Sequence, residues 1–158
     1  KTLPHPEWLV EGMLIDNSLS FIVGAPGTGK SFIALNLGLS IASAQDEFWE
    51  RPVKKKGATV YISSEGVSDI KFRIMAWEAG TGISANNVPF YLIHQSINFM
   101  DGDDVTKLLK TVLSVRKISG QDIAMVVVDT VSRVLPGMGA PIATKSRSGV
   151  NGVGVVTS

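Results

Sequence analysis

The residues from Gly24 to Phe32 have the types and the spacing that bind a phosphate group. "GAPGTGKS" fits the pattern G-x-x-x-x-G-K-[ST] and lies between an apolar run and a stretch with helical periodicity. Its glycines let backbone N–H groups turn into one concavity, to which the start of a helix adds its positive dipole end. The alternative is a glycine turn that happens to precede a helix, and the flanking strand and helix argue against it.

Two residues of this phosphate segment would have separate tasks at a nucleotide. Lys30 would reach the β- and γ-phosphates, and the Ser31 hydroxyl would coordinate a Mg²⁺ that bridges them. The predicted nucleotide contacts are Gly24, Ala25, Pro26, Gly27, Thr28, Gly29, Lys30, Ser31 and Phe32.

Two carboxylates end later apolar runs. Asp129 closes "MVVVD", where it would lie beside the phosphate segment and hold the metal through water; the alternative is an Asp that caps the next turn. Glu65 follows "ATVYISS", where it would orient and deprotonate the water that attacks the γ-phosphate. The alternatives for Glu65 are a solvated loop residue or a helix-start residue.

The elements that must position these groups alternate along the chain. Strands are predicted at Leu19–Val23, Ala58–Ser63, Val88–Ile93 and Ile123–Asp129, with a fifth at "GVGVVTS". Helices are predicted after the phosphate segment, at "VSDIKFRIMAWEAG" closed by Gly80, and at "DDVTKLLKTVLSVRKISG" capped by Asp103 or Asp104 and ended by Gly120. This alternation predicts an α/β fold, a mainly parallel twisted sheet with helices on both faces and ligands at the carboxyl ends of the strands.

Composition sets the outer bounds. The chain has 158 residues, a formal net charge of +1 and no cysteine, so we predict a single domain over residues 1–158 without disulfides or thiolate metal sites. A chain with so small a net charge has no overall basic field that would attract nucleic acid. The lysines at 54–56 form either a DNA contact or a solvated loop. No apolar run reaches the roughly 18 residues that span a bilayer, and we expect a cytoplasmic protein without membrane contact.

The order of these motifs resembles that of the RecA-like P-loop ATPases, and most closely the RepA-type hexameric replicative helicases of plasmids and phages. The resemblance rests on "WLVEGML", "FIVGAPGTGKSFIALNLG", "VYISSEG" with "RIMAW" behind it, and "MVVVDTVSR". The glycine segment and the Asp are common to many ATPases. The Glu-Gly with an arginine helix behind it, and Asp-Thr-x-Ser-Arg, are more specific.

This resemblance implies a RecA-like core that hydrolyses ATP with Mg²⁺. Glu65 would be the catalytic base, and Lys30, Ser31 and Asp129 would hold nucleotide and metal. The protein would be a motor on single-stranded DNA that assembles as a homo-oligomeric, hexameric ring in a bacterial, plasmid or phage context. The alternatives are a RecA- or KaiC-like regulatory or recombination ATPase that is not a helicase, and a P-loop small-molecule kinase.

The chain departs from that family's pattern after Leu135. A full helix and a strand with a polar sensor usually follow, whereas this sequence offers only a short helical candidate at 140–148. We expect either that a disordered loop near 137–141 is left out, together with the C-terminal strands and the arginine finger, or that the chain is a shortened relative. Thr157 and Ser158 are predicted as γ-phosphate sensors or as an ordinary polar strand end. Contacts to DNA or to a neighbouring subunit, with a plain surface role as the alternative, are predicted at Arg133, Lys145 and Arg147.

Overall fold

The computed structural model describes residues 5–64 and 66–129, together with the backbone of residues 151–157. Its strands are β1 (Trp8–Val10), β2 (Leu14–Ile15), β3 (Leu19–Gly24), β4 (Glu47–Phe48), β5 (Arg51–Pro52), β6 (Ala58–Ser63), β7 (Phe90–His94), β8 (Ile123–Asp129) and β9 (Asn151–Thr157). Its helices are α1 (Lys30–Ala42), α2 (Val67–Thr81) and α3 (Gly102–Ser119), with a short 3-10 turn at Ala85–Asn87. No helix in this described part of the chain is long and apolar enough to cross a membrane.

Within the described residues, the central sheet has five strands in the order β3-β9-β8-β6-β7. β8, β6 and β7 are parallel to one another, whereas β9 is antiparallel to both of its neighbours, β3 and β8. It follows that β3 points in the same direction as β8. The prediction of a parallel sheet is correct for β8, β6 and β7 and wrong for β9. An apolar run indicates a strand but not its direction, which depends on the connection that precedes it.

Helices cover both faces of the sheet, as predicted. One buried cluster joins Leu35 and Ile41 of α1 and Trp77 of α2 to Tyr61 and other residues on the same face of the sheet. A second cluster, on the opposite face, joins Leu108 and Val115 of α3 to residues that include Val60, Ile62 and Val128. The strands β6 and β8 are buried on both sides, which is why they are almost wholly apolar.

The ends of two helices differ from the prediction at single residues. α2 continues through Gly80 to Thr81 and ends at Gly82, which has φ +73° in the left-handed region. α3 ends at Gly120 as predicted, but its N-cap is Asp101, whose side chain accepts a hydrogen bond of 2.9 Å from the Asp103 backbone N–H. Three aspartates follow one another closely here, and all of them suit a helix start, so residue type alone did not select the cap.

The three consecutive lysines are matched by carboxylates of the same chain. The ion pairs are Lys54–Glu11 at 2.7 Å, Lys55–Asp16 at 3.0 Å and Lys56–Asp46 at 2.5 Å. The hydrogen bond and the charge of Lys56 lower the pKa of Asp46 below its ordinary value. These contacts join the segment after β5 to the loops after β1, β2 and α1. They argue against a DNA contact, and the lysines form a partly exposed, ion-paired loop instead of the simply solvated loop that was the alternative.

Candidate nucleotide-binding site

The phosphate segment is a tight loop between β3 and α1. Gly27 and Gly29 have φ of +77° and +85°, and a Cβ atom at either would meet no atom within 4 Å. Glycine is therefore required at these positions by the backbone conformation, and the space beside them is open. Gly29 is the N-cap of α1, and its carbonyl accepts the first helical hydrogen bond, from the Ile33 N–H at 3.0 Å. The loop thus directs the amino end of α1 toward the concavity that the sequence predicts.

Side chains close the loop on itself. The Thr28 hydroxyl donates a hydrogen bond of 2.8 Å to the Ala25 carbonyl. A Cβ at Gly24 would lie 3.0 Å from the Thr28 hydroxyl oxygen, which leaves little room for any larger residue at the end of β3. Gly24 and Thr28 therefore fix how the chain leaves β3 and how it turns within the loop.

Lys30 is the charged group of this loop. Its side chain is 9% exposed, and its ammonium donates hydrogen bonds to the carbonyls of Gly24 at 3.0 Å and of Ala25 at 2.7 Å. A buried ammonium held by carbonyl dipoles at a helix start provides positive charge beside the backbone N–H groups. The arrangement can bind an anion such as a phosphate.

Asp129 lies at the carboxyl end of β8 and is 2% exposed. The Tyr61 hydroxyl donates a hydrogen bond of 2.6 Å to its Oδ2, and lies 3.5 Å from the Ser31 carbonyl oxygen. The Tyr61 phenol thus stands between the end of β8 and the start of α1. The structure thus places Asp129 and the backbone of Ser31 on two sides of the Tyr61 hydroxyl, and these are the two residues predicted to hold the metal.

Tyr61 was not among the predicted site residues. It is 1% exposed in the middle of β6, and a fully buried tyrosine needs a partner for its hydroxyl. In the sequence, a tyrosine within a strand of apolar and small residues is the one feature that could have identified Tyr61, because its buried hydroxyl needs a hydrogen-bond partner. The identity of the partner depends on the register between β6 and β8, in which Ser63 pairs with Asp129.

The donor set at this place fits Mg²⁺. The Ser31 hydroxyl and the Asp129 carboxylate provide oxygen, the ligand type that Mg²⁺ prefers. Among the residues that the structure describes, no group of three or more His, Cys, Asp or Glu could hold a metal ion. A Mg²⁺ here would need phosphate oxygens and water as its other ligands, as at phosphoryl-transfer sites.

Phe32, the last residue of the phosphate segment, is 53% exposed. The guanidinium carbon of Arg73 lies 5.2 Å from the centroid of its ring, a cation–π contact that joins α1 to α2. Both residues line a mainly apolar groove of about 430 Å³ between the two helices, which also contains Trp49 and Trp77. The groove beside the phosphate segment therefore offers aromatic and guanidinium faces on which a planar ring can stack.

The structure does not bring every predicted residue to this site. The backbone of Thr157 pairs with Met125, toward the start of β8, because β9 is antiparallel. Its backbone thus lies near the sheet edge opposite Gly24 and Asp129. The remaining predicted residues lie outside the described part of the chain, and they are Glu65, Arg133, Lys145, Arg147 and Ser158.

The chain that leads to Glu65 runs beside Asp129. β6 ends at Ser63, opposite Asp129, and the Ser64 backbone N–H donates a hydrogen bond of 3.0 Å to the Asp129 carbonyl. The described residue before Glu65 is therefore joined to the strand that carries the predicted metal ligand. The catalytic role of Glu65 stays a prediction.

One of the comparisons with known proteins identifies a protein family. A family model described as an AAA domain matches residues 1–154 of the chain. Neither the curated proteins nor the solved structures contain a significant match.

Proposed function

Because this chain belongs to the AAA domain family of P-loop ATPases, we propose that it hydrolyses ATP with Mg²⁺ as a RecA-like motor on single-stranded DNA, of the kind found in RepA-type ring helicases. The observation that carries the proposal is the meeting of the start of α1 with the end of β8, where Lys30, Ser31 and Asp129 lie around one open loop.

The loop supplies binding and charge stabilisation. Lys30 would exchange the carbonyls of Gly24 and Ala25 for oxygens of the β- and γ-phosphates, so that its charge faces the phosphoryl group during transfer. The backbone N–H groups at the start of α1 would hold the same phosphates from the other side. Phe32 and Arg73 offer surfaces against which the base can pack.

The metal would be held by Ser31 directly and by Asp129 through water. When bound, Mg²⁺ would neutralise charge on the non-bridging oxygens of the β- and γ-phosphates. Glu65 follows the strand that contacts Asp129, and a carboxylate there would accept the proton of the attacking water. The assignment of Glu65 is supported by its place after β6 and by the resemblance to RecA-like ATPases.

The choice of DNA and of a ring is supported by the resemblance to the RepA-type helicases. "VYISSEG" with its arginine helix and "MVVVDTVSR" stand in the same order as in the RepA-type helicases. In such a ring each ATP lies at a subunit boundary, and Arg133, Lys145 and Arg147 are the proposed contacts to DNA or to the neighbour.

The test is steady-state ATP hydrolysis by the full-length protein with and without single-stranded DNA, with Glu65→Gln in parallel. We expect DNA to raise turnover, and Glu65→Gln to lower it by about 10²- to 10⁴-fold while ATP affinity is kept, because only proton transfer is removed. Glu47→Gln, an exposed carboxylate on β4, is the matched control and should behave as the wild type.

Each contrary outcome identifies a different error. Glu65-dependent turnover that is indifferent to DNA would favour a regulatory or recombination ATPase over a helicase. A phosphorylated small product in place of free phosphate would favour a kinase. Wild-type turnover in Glu65→Gln would remove Glu65 from the mechanism.

A further inference from the structure

We propose that Tyr61 is a positioning residue of the metal site, whose phenol holds the Asp129 carboxylate in place beside the start of α1. The inference rests on the proposed function, because it assumes that nucleotide and Mg²⁺ bind at this loop. It assigns to Tyr61 a task that acts through Asp129.

The contact has the geometry of a strong hydrogen bond. The Tyr61 Oη lies 2.6 Å from Asp129 Oδ2, within the range of a hydroxyl that donates to an ionised carboxylate. Both residues are almost fully buried, at 1% and 2% exposure. A charge-assisted bond in such an environment is screened little by water and holds its partners firmly.

The donor side of this bond is rigid. Tyr61 belongs to β6, which lies between β8 and β7 in the interior of the sheet. Its ring packs against Phe90 with the centroids 6.0 Å apart, and a tyrosine ring has only two torsions to order. Tyr61 pairs with Val127, two residues before Asp129, so the two side chains lie on the same face of neighbouring strands. The position of the hydroxyl is therefore set by the sheet itself.

On the acceptor side, the bond orients the carboxylate. The terminal torsion of an aspartate is broad, so an unrestrained carboxylate at a strand end rotates easily. The Tyr61 hydroxyl fixes one oxygen of Asp129 and so the plane of the carboxylate. The same hydroxyl lies 3.5 Å from the carbonyl oxygen of Ser31, the residue whose side chain would coordinate the metal. The Asp129 carboxylate would then already be oriented beside the start of α1 when the metal binds.

The test separates nucleotide affinity from metal dependence. ADP binding is measured by calorimetry with EDTA and across a Mg²⁺ series, for the wild type, Tyr61→Phe and the control Tyr91→Phe. Tyr91 lies on β7 and packs against the cluster on the other face of the sheet. We expect Tyr61→Phe to keep the metal-free ADP affinity and to raise the Mg²⁺ concentration for half-maximal effect by about 10- to 100-fold, as loss of partners of metal ligands does. Tyr91→Phe should match the wild type.

A double-mutant cycle tests whether Tyr61 acts through Asp129. In an Asp129→Asn background the group that holds the metal through water is already changed, so adding Tyr61→Phe should raise the Mg²⁺ requirement no further. An equal additional loss in that background would overturn the positioning role, as would a Tyr61→Phe variant with the wild-type Mg²⁺ requirement. A wild-type protein that binds no ADP, or binds it without any response to Mg²⁺, would instead refute the proposed function.

A second measurement does not depend on the folding of Tyr61→Phe. Tyrosine is replaced by 3-fluorotyrosine, which keeps the hydroxyl, and the Tyr61 signal in the fluorine spectrum is found by elimination, since Tyr61 and Tyr91 are the two tyrosines of this sequence. Adding Mg²⁺ to the ADP complex should shift the Tyr61 signal, because a cation held by its carboxylate partner changes the electric field at the ring. An unchanged Tyr61 signal on saturation with Mg²⁺ and ADP would contradict the proposal.

Discussion

Gly29 shows how single residues shape the phosphate segment. Its φ of +85° lies in the left-handed region, which turns the chain directly into α1 at Lys30. The ammonium of Lys30 then lies within hydrogen-bond distance of two carbonyls of the same loop. A backbone conformation that only glycine adopts without strain therefore places the one charge that the binding of phosphate needs.

Gly29→Ala tests this at the residue scale. A Cβ at Gly29 would meet nothing within 4 Å, so the cost comes from the left-handed backbone alone. We expect the free energy of unfolding in urea to fall by about 1–2 kcal/mol, and ATP affinity to fall with it. Gly102→Ala is the control, since Gly102 is also unhindered but has no positive φ. Equal stability of the two variants would show that the loop does not hold Gly29 in this conformation.

At the scale of elements, the packing of α1 on the sheet positions the site. A Cβ at Gly38 would lie 3.0 Å from Thr59 Cγ2, 3.2 Å from Phe90 and 3.3 Å from Met125. The helix thus approaches the sheet as closely as its backbone allows. Because α1 begins at Lys30 and β6 carries Tyr61, this approach sets the distance between the phosphate segment and the strand that contacts Asp129.

Gly38→Ala should disturb that approach. We expect overpacking to lower the free energy of unfolding by about 1–3 kcal/mol, outweighing the helix-propensity gain of about 1 kcal/mol. Gly80 lies inside α2, and a Cβ there would meet no atom within 4 Å. Gly80→Ala should therefore have the opposite effect and raise the free energy of unfolding by about 0.5–1 kcal/mol. Urea titration of both variants checks the pair. Stabilisation by Gly38→Ala would contradict the close contact between α1 and the sheet.

The strands also show which parts of the fold could be predicted from the sequence. β6 and β8 have the predicted bounds, because continuous β-branched runs between turn residues mark a buried strand clearly. The direction of β9 depends on its connection, so the pattern of the strand could not reveal it. The bond from Tyr61 to Asp129 joins residues 68 positions apart, and it depends on strand register that no local pattern contains.

At the scale of the whole molecule, strand direction gathers the site. β3, β8, β6 and β7 all point the same way, so Gly24, Asp129 and Ser63 end at one edge of the sheet. Helices on both faces bury the strands that carry these residues. The motif order therefore predicted that the ends of β3 and β8 lie at the same edge, because parallel strands bring their carboxyl ends together, but it did not predict the contact of Tyr61 with Asp129.

In the proposed function, this edge of the sheet binds the triphosphate of ATP through Lys30. The most direct measurement is the equilibrium affinity for Mg²⁺-ATP of the wild type, of Lys30→Ala and of Lys110→Ala, an exposed lysine on α3. We predict that Lys30→Ala weakens binding by about tenfold or more, since a bond to a charged group is removed, and that Lys110→Ala binds as the wild type does. Unchanged affinity in Lys30→Ala, or a wild type that does not bind Mg²⁺-ATP, would refute the binding of ATP at this edge through Lys30.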